Sequence, residues 1–264
     1  MRILFVMVIV VGLVAVGLAK PTHSDQGWSA MTYNVKFDSK SQSETLSLIE
    51  AREVDVLCLQ EITHQFVAKF NKKLGDVYPY TLFEPRSGTW GVGIASRYPL
   101  TKPVIFVQKP YRMPAAEAII HVKKRSVQIS CVHLFPPVAK RNKKHSHLKS
   151  MNENAKLREA QAGYLVERYR ATKNLVLLLG DFNEGPNDLA MEIFKKHGFS
   201  SACQTKDARC AGTFPANKYL LPAVFQVDHI LGKGLKFRDT KRHKGGSSDH
   251  YPVSTIVVSL PSDA

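Results

Sequence analysis

Asp181 and Asn183 stand two residues apart at the end of the apolar run LVLLLG, where a buried strand has no use for polar groups unless something polar waits beyond it. The same habit recurs along the chain. Asn34 follows SAMTY, Glu61 follows VDVLCLQ and His133 follows VQISCV. Asp228 interrupts VFQVDHIL, and Asp249 and His250 stand in SDHYPV just before the last apolar run. Strand ends in α/β folds converge on one edge of a sheet, where ligands bind. Converged, these residues make a nest of carboxylates, amides and imidazoles. That mixture suits in-line attack of water on a phosphodiester. Carboxylate and amide oxygens ligate hard cations such as Mg2+, and the metal polarises a phosphoryl oxygen and offsets charge as it builds. An aspartate can orient and deprotonate the water. A histidine held by a second carboxylate can donate to the phosphate, because its partner fixes the tautomer and favours the cation.

The elements that must position these groups are legible in the pattern. Strand-like runs are WSAMTYNVKF, VDVLCLQ, YPYTLF, GVGIAS, PVIFVQ, EAIIHVK, SVQISCVHL, NLVLLLG, VFQVDHIL and PVSTIVVSL. SETLSLIEAR, THQFVAKFNKKL and ENAKLREAQAGYLVERYRA carry apolar residues three and four apart, as helices do, and DLAMEIFKKHG ends in a terminal glycine. Middle strands joined by short turns require part of the sheet to be antiparallel. Strands and helices mixed in this way predict sheet layers packed together with helices outside. No repeat, linker or composition shift interrupts the chain after Pro21, so residues 26–260 are expected to form one domain.

Together, TYNV with Asn34, LQE with Glu61, HL with His133, GDFN with Asp181 and Asn183, VDHI with Asp228, and SDHYPV with Asp249 and His250 resemble the successive motifs of the endonuclease/exonuclease/phosphatase superfamily. They run in family order from Met31 to Val253. The resemblance implies an α/β fold, a four-layer α/β sandwich in which two packed mixed β-sheets are flanked by helices, as in deoxyribonuclease I. It also implies roles. Glu61 would be the main Mg2+ ligand, with Asn34 and Asp249 beside the metal and Mn2+ or Ca2+ as alternative ions. Asp181 would orient or activate the water, and Asn183 would hold a phosphoryl oxygen. His250, charged and oriented by Asp228, would bind the phosphate. His133 matches the position where secreted nucleases and sphingomyelinases place a second histidine. The deoxyribonuclease I branch supports that histidine with a glutamate, whereas SGTWGVGIASRYPL offers Gly91 and Gly93. This segment looks more like the bacterial sphingomyelinase and general phosphodiesterase branches. His229, beside Asp228, is expected on the opposite strand face in a structural role.

Lys and Arg number 37 against 22 Asp and Glu, a formal charge of +15 that draws polyanions without choosing among them. Two basic runs, AKRNKKHSHLK and GKGLKFRDTKRHK, leave strands that carry site residues and are expected to rim the mouth. Lys140, Arg141, Lys143, Lys144, Lys241 and Arg242 would then contact substrate phosphates, giving salt-dependent affinity. Arg158, one turn from Gln161 in LREAQ, is expected on the same rim or as plain surface. No repeated aromatic-basic interleaving marks a base-stacking platform in these runs, which argues against base-specific reading. The expected function is an exported Mg2+-dependent phosphodiesterase, a low-specificity nuclease on DNA, acting as a monomer. The alternative is a phospholipid phosphodiesterase of sphingomyelinase or phosphoinositide phosphatase type on an anionic phospholipid surface, with FPANKYLLPAVF (214–225) as the inserting loop. A non-catalytic anchored binding protein is a further alternative.

The opening MRILFVMVIVVGLVAVGLAKPTHS sets Arg2 before an unbroken apolar run from Ile3 to Ala19. Gly17 and Ala19 form a small-x-small pattern, so a signal peptide over 1–19 is expected, with an uncleaved N-terminal anchor as the alternative. Either sends the domain out of the cytoplasm, to a secreted or periplasmic location. Cys58 and Cys131, in apolar strand-like runs, are expected to be inert core thiols. Cys203 and Cys210 flank CQTKDARC, where export favours a disulfide and a free pair is the alternative.

Overall fold

Apolar runs that alternate or continue for five to ten residues become strands, and the runs with helical spacing become helices. The computed structural model describes residues 27–110, 113–139, 146–216 and 222–259. In chain order the elements are β1 (Trp28–Asn34), α1 (Gln42–Glu50), β2 (Val56–Gln60), α2 (His64–Leu74), β3 (Tyr80–Glu84), β4 (Val92–Ser96), β5 (Thr101–Gln108) and β6 (Met113–Val122). They continue with β7 (Arg125–His133), α3 (His147–Arg168), β8 (Leu175–Asp181), α4 (Leu189–Lys196), β9 (Phe199–Ser201), β10 (Asp228–Lys233), β11 (Leu235–Arg242) and β12 (Val253–Ser259). The leader and the run from Lys140 to His145 lie outside the described residues.

The strands form two six-stranded sheets, ordered β11-β12-β1-β2-β4-β3 and β5-β6-β7-β8-β10-β9. Each is mixed: β1 and β2 pair in parallel in the first, β7 and β8 in the second, and the remaining neighbours are antiparallel. Period-two alternation sorts side chains between layers. In β2, Val56 and Cys58 face the core between the sheets, while Leu57 and Leu59 face the cluster that contains Leu46 and Phe66 of α1 and α2. In β8, Leu177 and Leu179 turn inward and Val176 and Leu178 meet Leu165 and Phe194 of α3 and α4. LVLLLG does not alternate because both faces of its strand are buried. The result is the four-layer α/β sandwich expected.

One expectation fails. Cys58 and Cys131 are not free thiols but a disulfide, with Cα atoms 5.2 Å apart across a sequence separation of 73. Each lies on the inward face of its own sheet, and facing strands bring them into contact, a juxtaposition local pattern does not reveal. In the chain-entropy picture, closing so long a loop stabilises the fold by about 4 kcal/mol. Cys203 and Cys210 are bonded as well, across a separation of 7. The run GKGLKFRDTKRHK also departs from expectation. It forms the end of β10, a turn at Gly234 (φ 74°), and the edge strand β11, with a bulge between Arg238 and Lys241, instead of a rim. Its outer edge is covered near Lys241 by Arg209, whose N–H donates to the Thr240 carbonyl at 2.8 Å and whose carbonyl accepts the Arg242 N–H at 3.3 Å.

Candidate active site

Strand register builds half of the site. In the second sheet, His133 of β7 lies beside Asp181 of β8, and Asp181 lies beside Asp228 of β10. With strands roughly 4.8 Å apart, a row of imidazole, carboxylate and carboxylate is set by backbone pairing alone. All of them are buried. The first sheet supplies the other half. Asn34 ends β1 opposite Gln60 of β2, and Glu61 follows in a left-handed conformation (φ 61°) that turns the chain off the sheet.

The halves meet at Asp181. Asn34 Nδ2 donates to Asp181 Oδ2 at 3.0 Å and to Glu61 Oε1 at 3.1 Å, so a single amide spans both carboxylates. The Phe37 amide donates to Glu61 Oε2 at 3.2 Å. His133 Nε2 stands 3.5 Å and His250 Nε2 3.7 Å from the same Asp181 oxygen. The other Asp181 oxygen accepts the Asn183 backbone N–H at 2.9 Å, which fixes the carboxylate's rotation. His250 reaches the row from the loop before β12. Ser248 Oγ donates to the Asn34 carbonyl at 2.6 Å and accepts the His250 N–H at 3.0 Å, tying that loop to the end of β1.

His250 Nδ1 lies 2.9 Å from Asp228 Oδ2. Burial alone would lower the histidine's pKa, but the charges of Asp228 and Asp181 and the bond to Asp228 override it and raise it to about 10. The group is an imidazolium at neutral pH. Burial pushes Asp228 upward, and the facing imidazolium pulls it back. The Phe214 ring, 4.9 Å from the imidazole, covers its flank.

Asn183, also left-handed (φ 51°), donates from Nδ2 to the Leu134 carbonyl at 3.0 Å, which leaves one N–H for a ligand. Asp249 is half-buried beside the row, and its carboxylate meets Lys36 Nζ at 3.8 Å. His133 Nδ1 is buried without a hydrogen-bond partner among the described residues. Gly91, noted in the sequence, has no room for a side chain: a Cβ there would come 1.9 Å from the Ile62 carbonyl.

The expected cationic rim is corrected in part. Arg158 is buried, its Nε paired with the Glu184 carboxylate and its Nη1 donating to the Phe135 carbonyl at 3.1 Å. Gln161 shares that helix face and accepts the Phe135 N–H at 3.0 Å. These side chains point at the loops that leave β7 and β8, not at solvent, because α3 packs directly over them. Arg242 donates to the Gly212 carbonyl at 2.6 Å and lies over the Tyr251 ring at 5.0 Å, bracing a loop instead of standing free. Lys241 is exposed, but it lines a groove with Arg52 and His243 on the helix side of the first sheet. Lys140, Arg141, Lys143 and Lys144 lie outside the described residues.

Glu184 is the residue sequence reasoning missed. Burial raises its pKa, against the pull of Arg158, and its carbonyl accepts from His229 Nε2 at 2.8 Å. Its one signal was adjacency to GDFN. His229, whose pKa burial lowers, faces away from the site as expected.

Asp181, Asp228 and His250 present ligand atoms within 4.8 Å of one another. A charged imidazole cannot ligate, however, and the better fit for a cation is the opposite flank. There an amide N–H bridges two carboxylates, which is the electrostatic place a divalent ion would take. Oxygen donors of this kind suit a hard ion. The residues present therefore fit Glu61 and Asp181 as the holders of a divalent metal, with Asn34 beside them, its Oδ1 accepting the Lys36 N–H at 3.1 Å, and Asp249 set back behind Lys36.

Fold and site define the class: an α/β sandwich of deoxyribonuclease I type with a carboxylate, amide and imidazole cluster on one sheet edge. Residues 31–250 match the profile of the Endonuclease/Exonuclease/phosphatase family, and the chain belongs to that family, whose members are typically metal-dependent phosphodiesterases and hydrolases. It is similar to the solved structure of a functionally unknown conserved protein from Enterococcus faecalis V583, at 18% identity and TM-score 0.71 over 88% of this chain and 100% of that one. An endonuclease/exonuclease/phosphatase family protein from Leptotrichia buccalis C-1013-b gives 15% identity and TM-score 0.69 over 88% and 100%. D. rerio TDP2 complexed with single strand DNA product gives 15% identity and TM-score 0.66 over 89% and 100%. At these identities the likeness establishes the fold alone. No curated protein sequence matches the chain.

Proposed function

We propose that this protein is an exported Mg2+-dependent phosphodiesterase, a nuclease of low sequence specificity that acts on DNA. The observation that carries the reading is the Asn34 amide spanning Glu61 and Asp181, with charged His250 facing the same aspartate. Glu61 and Asp181 would hold the ion, with the Asn34 amide beside it, and the ion when bound neutralises charge on a phosphoryl oxygen. Asp181, its rotation fixed by the Asn183 amide, orients the attacking water and accepts its proton. His250, held by Asp228 on one nitrogen, turns its other N–H toward the phosphoryl oxygen where charge builds. His133 adds a donor from Nε2, and the free N–H of Asn183 a further one. Asp249 and Lys36 support the loop behind the metal flank.

The choice of DNA rests on the +15 charge and on the absence of a base-stacking pattern, and a fold relative, D. rerio TDP2, is complexed with single strand DNA product. Export is supported by the leader and by two disulfides, which persist in oxidising compartments. One observation favours the phospholipid alternative: Val224 and Phe225, at the base of the 214–225 segment, are 62% and 59% exposed. A single assay separates these readings. The purified protein is incubated with plasmid DNA, RNA, sphingomyelin vesicles and a soluble inositol phosphate, with Mg2+ or with chelator. Nicking of plasmid that disappears with chelator, with Glu61→Ala and with His250→Ala is the expected result. Headgroup release beside intact plasmid transfers the assignment to phospholipid, and no turnover of any substrate makes the chain a binding protein. N-terminal sequencing of the exported form checks the cut after Ala19.

A further inference from the structure

A groove of about 500 Å3 runs between α1 and α2, apart from the catalytic pocket and walled by Lys40, Gln42, Leu46, Lys69, Lys72 and Lys73. Lys73 is neutralised by Glu50 at 2.8 Å. Lys40, Lys69 and Lys72 are exposed and have no ion-pair partner among the described residues. Lys69 and Lys72 share one face of α2, a like-charge arrangement that is unfavourable without an anion between them. At the groove's end, α1 begins uncapped: Ser41 accepts no bond from the helix backbone through its side chain. The first N–H groups of a helix without such a cap are open to an anion. Gln42, at the first helical position and 7% exposed, holds a buried side-chain amide oxygen with no hydrogen-bond partner among the described residues. That oxygen is an acceptor, enclosed beside the helix start.

The groove also joins the catalytic edge through one loop. That loop leaves Asn34 and passes Lys36, whose Nζ is 3.8 Å from Asp249, before it reaches Lys40. It is pinned to the segment that ends in His250, since Ser39 Oγ donates to the Ser247 carbonyl at 3.1 Å and the Ser41 N–H to Ser247 Oγ at 3.0 Å. None of the exposed large apolar side chains lines the groove. A bilayer would need such anchors, whereas a chain of phosphates needs cations in a trough.

We propose that this groove is a second phosphate-binding site, which holds backbone phosphates of a nucleic-acid strand whose scissile bond lies in the catalytic pocket. The assignment rests on the nuclease reading and names how that site grips a polymer in place of a small ester.

The test uses the whole protein with Lys40→Gln, Lys69→Gln and Lys72→Gln combined. Binding of a fluorescent single-stranded oligonucleotide is measured in chelator, where nothing is cleaved, across a salt series. The slope of log affinity against log salt should become shallower by about 2, at about 0.7 per lost phosphate contact on a single strand. The corresponding triple change to Arg should keep the wild-type slope. Hydrolysis of bis(p-nitrophenyl) phosphate, a diester too small to reach the groove, should be unchanged, while the KM for DNA rises about tenfold at constant kcat. An unaltered salt slope overturns the proposal. So does an equal loss on the small diester, which would make the lysines structural, and so does lysine-dependent binding to anionic vesicles without binding to the oligonucleotide. If the wild-type protein binds the strand through these lysines but never cleaves it, the nuclease reading fails and the groove assignment stands.

Discussion

The row His133, Asp181 and Asp228 and the group Asn34, Glu61 and Asp249 hold similar chemistry by opposite means. The row is written into strand register, at 2%, 1% and 0% exposure, with each member's position fixed by backbone bonds to its neighbours. Of the second group only Asn34 sits in a strand. Glu61 is half-buried in a left-handed turn, the following loop holds Lys36 in the same conformation (φ 58°), and Asp249 lies on the segment before β12. Register gives placement at no extra cost but makes chemistry inseparable from folding. Loop placement needs added bonds, from the Phe37 amide to Glu61 and from Ser248 to Asn34. In return it permits an open flank where a metal and a long anion can enter.

The contrast is sharpest in paired substitutions. Glu61→Gln and Asp228→Ala should each lower DNA cleavage by about 100- to 10,000-fold, the scale of one acid–base or charge-orienting group. Only Asp228→Ala should also unfold more easily, by about 3–5 kcal/mol in urea titrations with chelator present, because it strands a buried imidazolium. Glu61→Gln should unfold within about 0.5 kcal/mol of wild type, as changes away from such features do. Equal stability losses in the two variants would erase the distinction between register-borne and loop-borne groups.

A pH series tests the row more gently. The folded pKa of His250, about 10, lies above the ordinary value of 6.5, so the folded state binds the proton more tightly. Its contribution is fully present below pH 6.5 and is lost as pH rises through about 10. In chelator, wild-type stability minus that of His250→Gln should therefore shrink steadily across that window. A flat difference would mean that Asp228 and Asp181 do not hold the histidine charged.

The disulfides offer a smaller effect. Cys58 and Cys131 join the two sheets a few residues before Glu61 and His133, beneath the gap where row and loop group face each other. Replacing both with Ala should cost about 4 kcal/mol, and replacing Cys203 and Cys210 about 2 kcal/mol, from loop separations of 73 and 7. Reversible denaturation without reductant compares the pairs. The larger loss should come with weaker Mg2+ activation, since the two sheets supply the different residues proposed to hold the ion.

How far these features were legible depended on range. The motif residues could be found because each interrupts or ends an apolar run, a local signal that period and composition expose. The two-layer sheet arrangement followed from how strands and helices interleave. Cys58 and Cys131 could not be paired in advance, because both read as ordinary core positions and only the stacking of two sheets makes them neighbours. Arg158 and Glu184 failed for a related reason. An arginine in a polar helix reads as surface until the helix is seen to lie over the two loops that leave β7 and β8, where a charge survives only by pairing. GKGLKFRDTKRHK failed locally: its lysines and arginines masked the alternating Leu235 and Phe237 that bury β11 against the core.

Arg242 gives the finest test of which side of the comparison β11 belongs to. Its bond to the Gly212 carbonyl and its place over Tyr251 brace the loop whose next residue, Thr213, lies within 3.3 Å of the Asp228 backbone N–H. A brace of this kind should act on the row's stability and not on phosphate binding. Arg242→Met should cost about 1 kcal/mol, the worth of one hydrogen bond, and leave the salt slope of oligonucleotide binding unchanged. A rim cation would instead make that slope shallower by about 0.7 at little cost in stability. Lys241→Gln, in its separate groove, should leave both quantities as they are. A slope that falls with Arg242→Met would return this strand to the open, anion-facing side of the site.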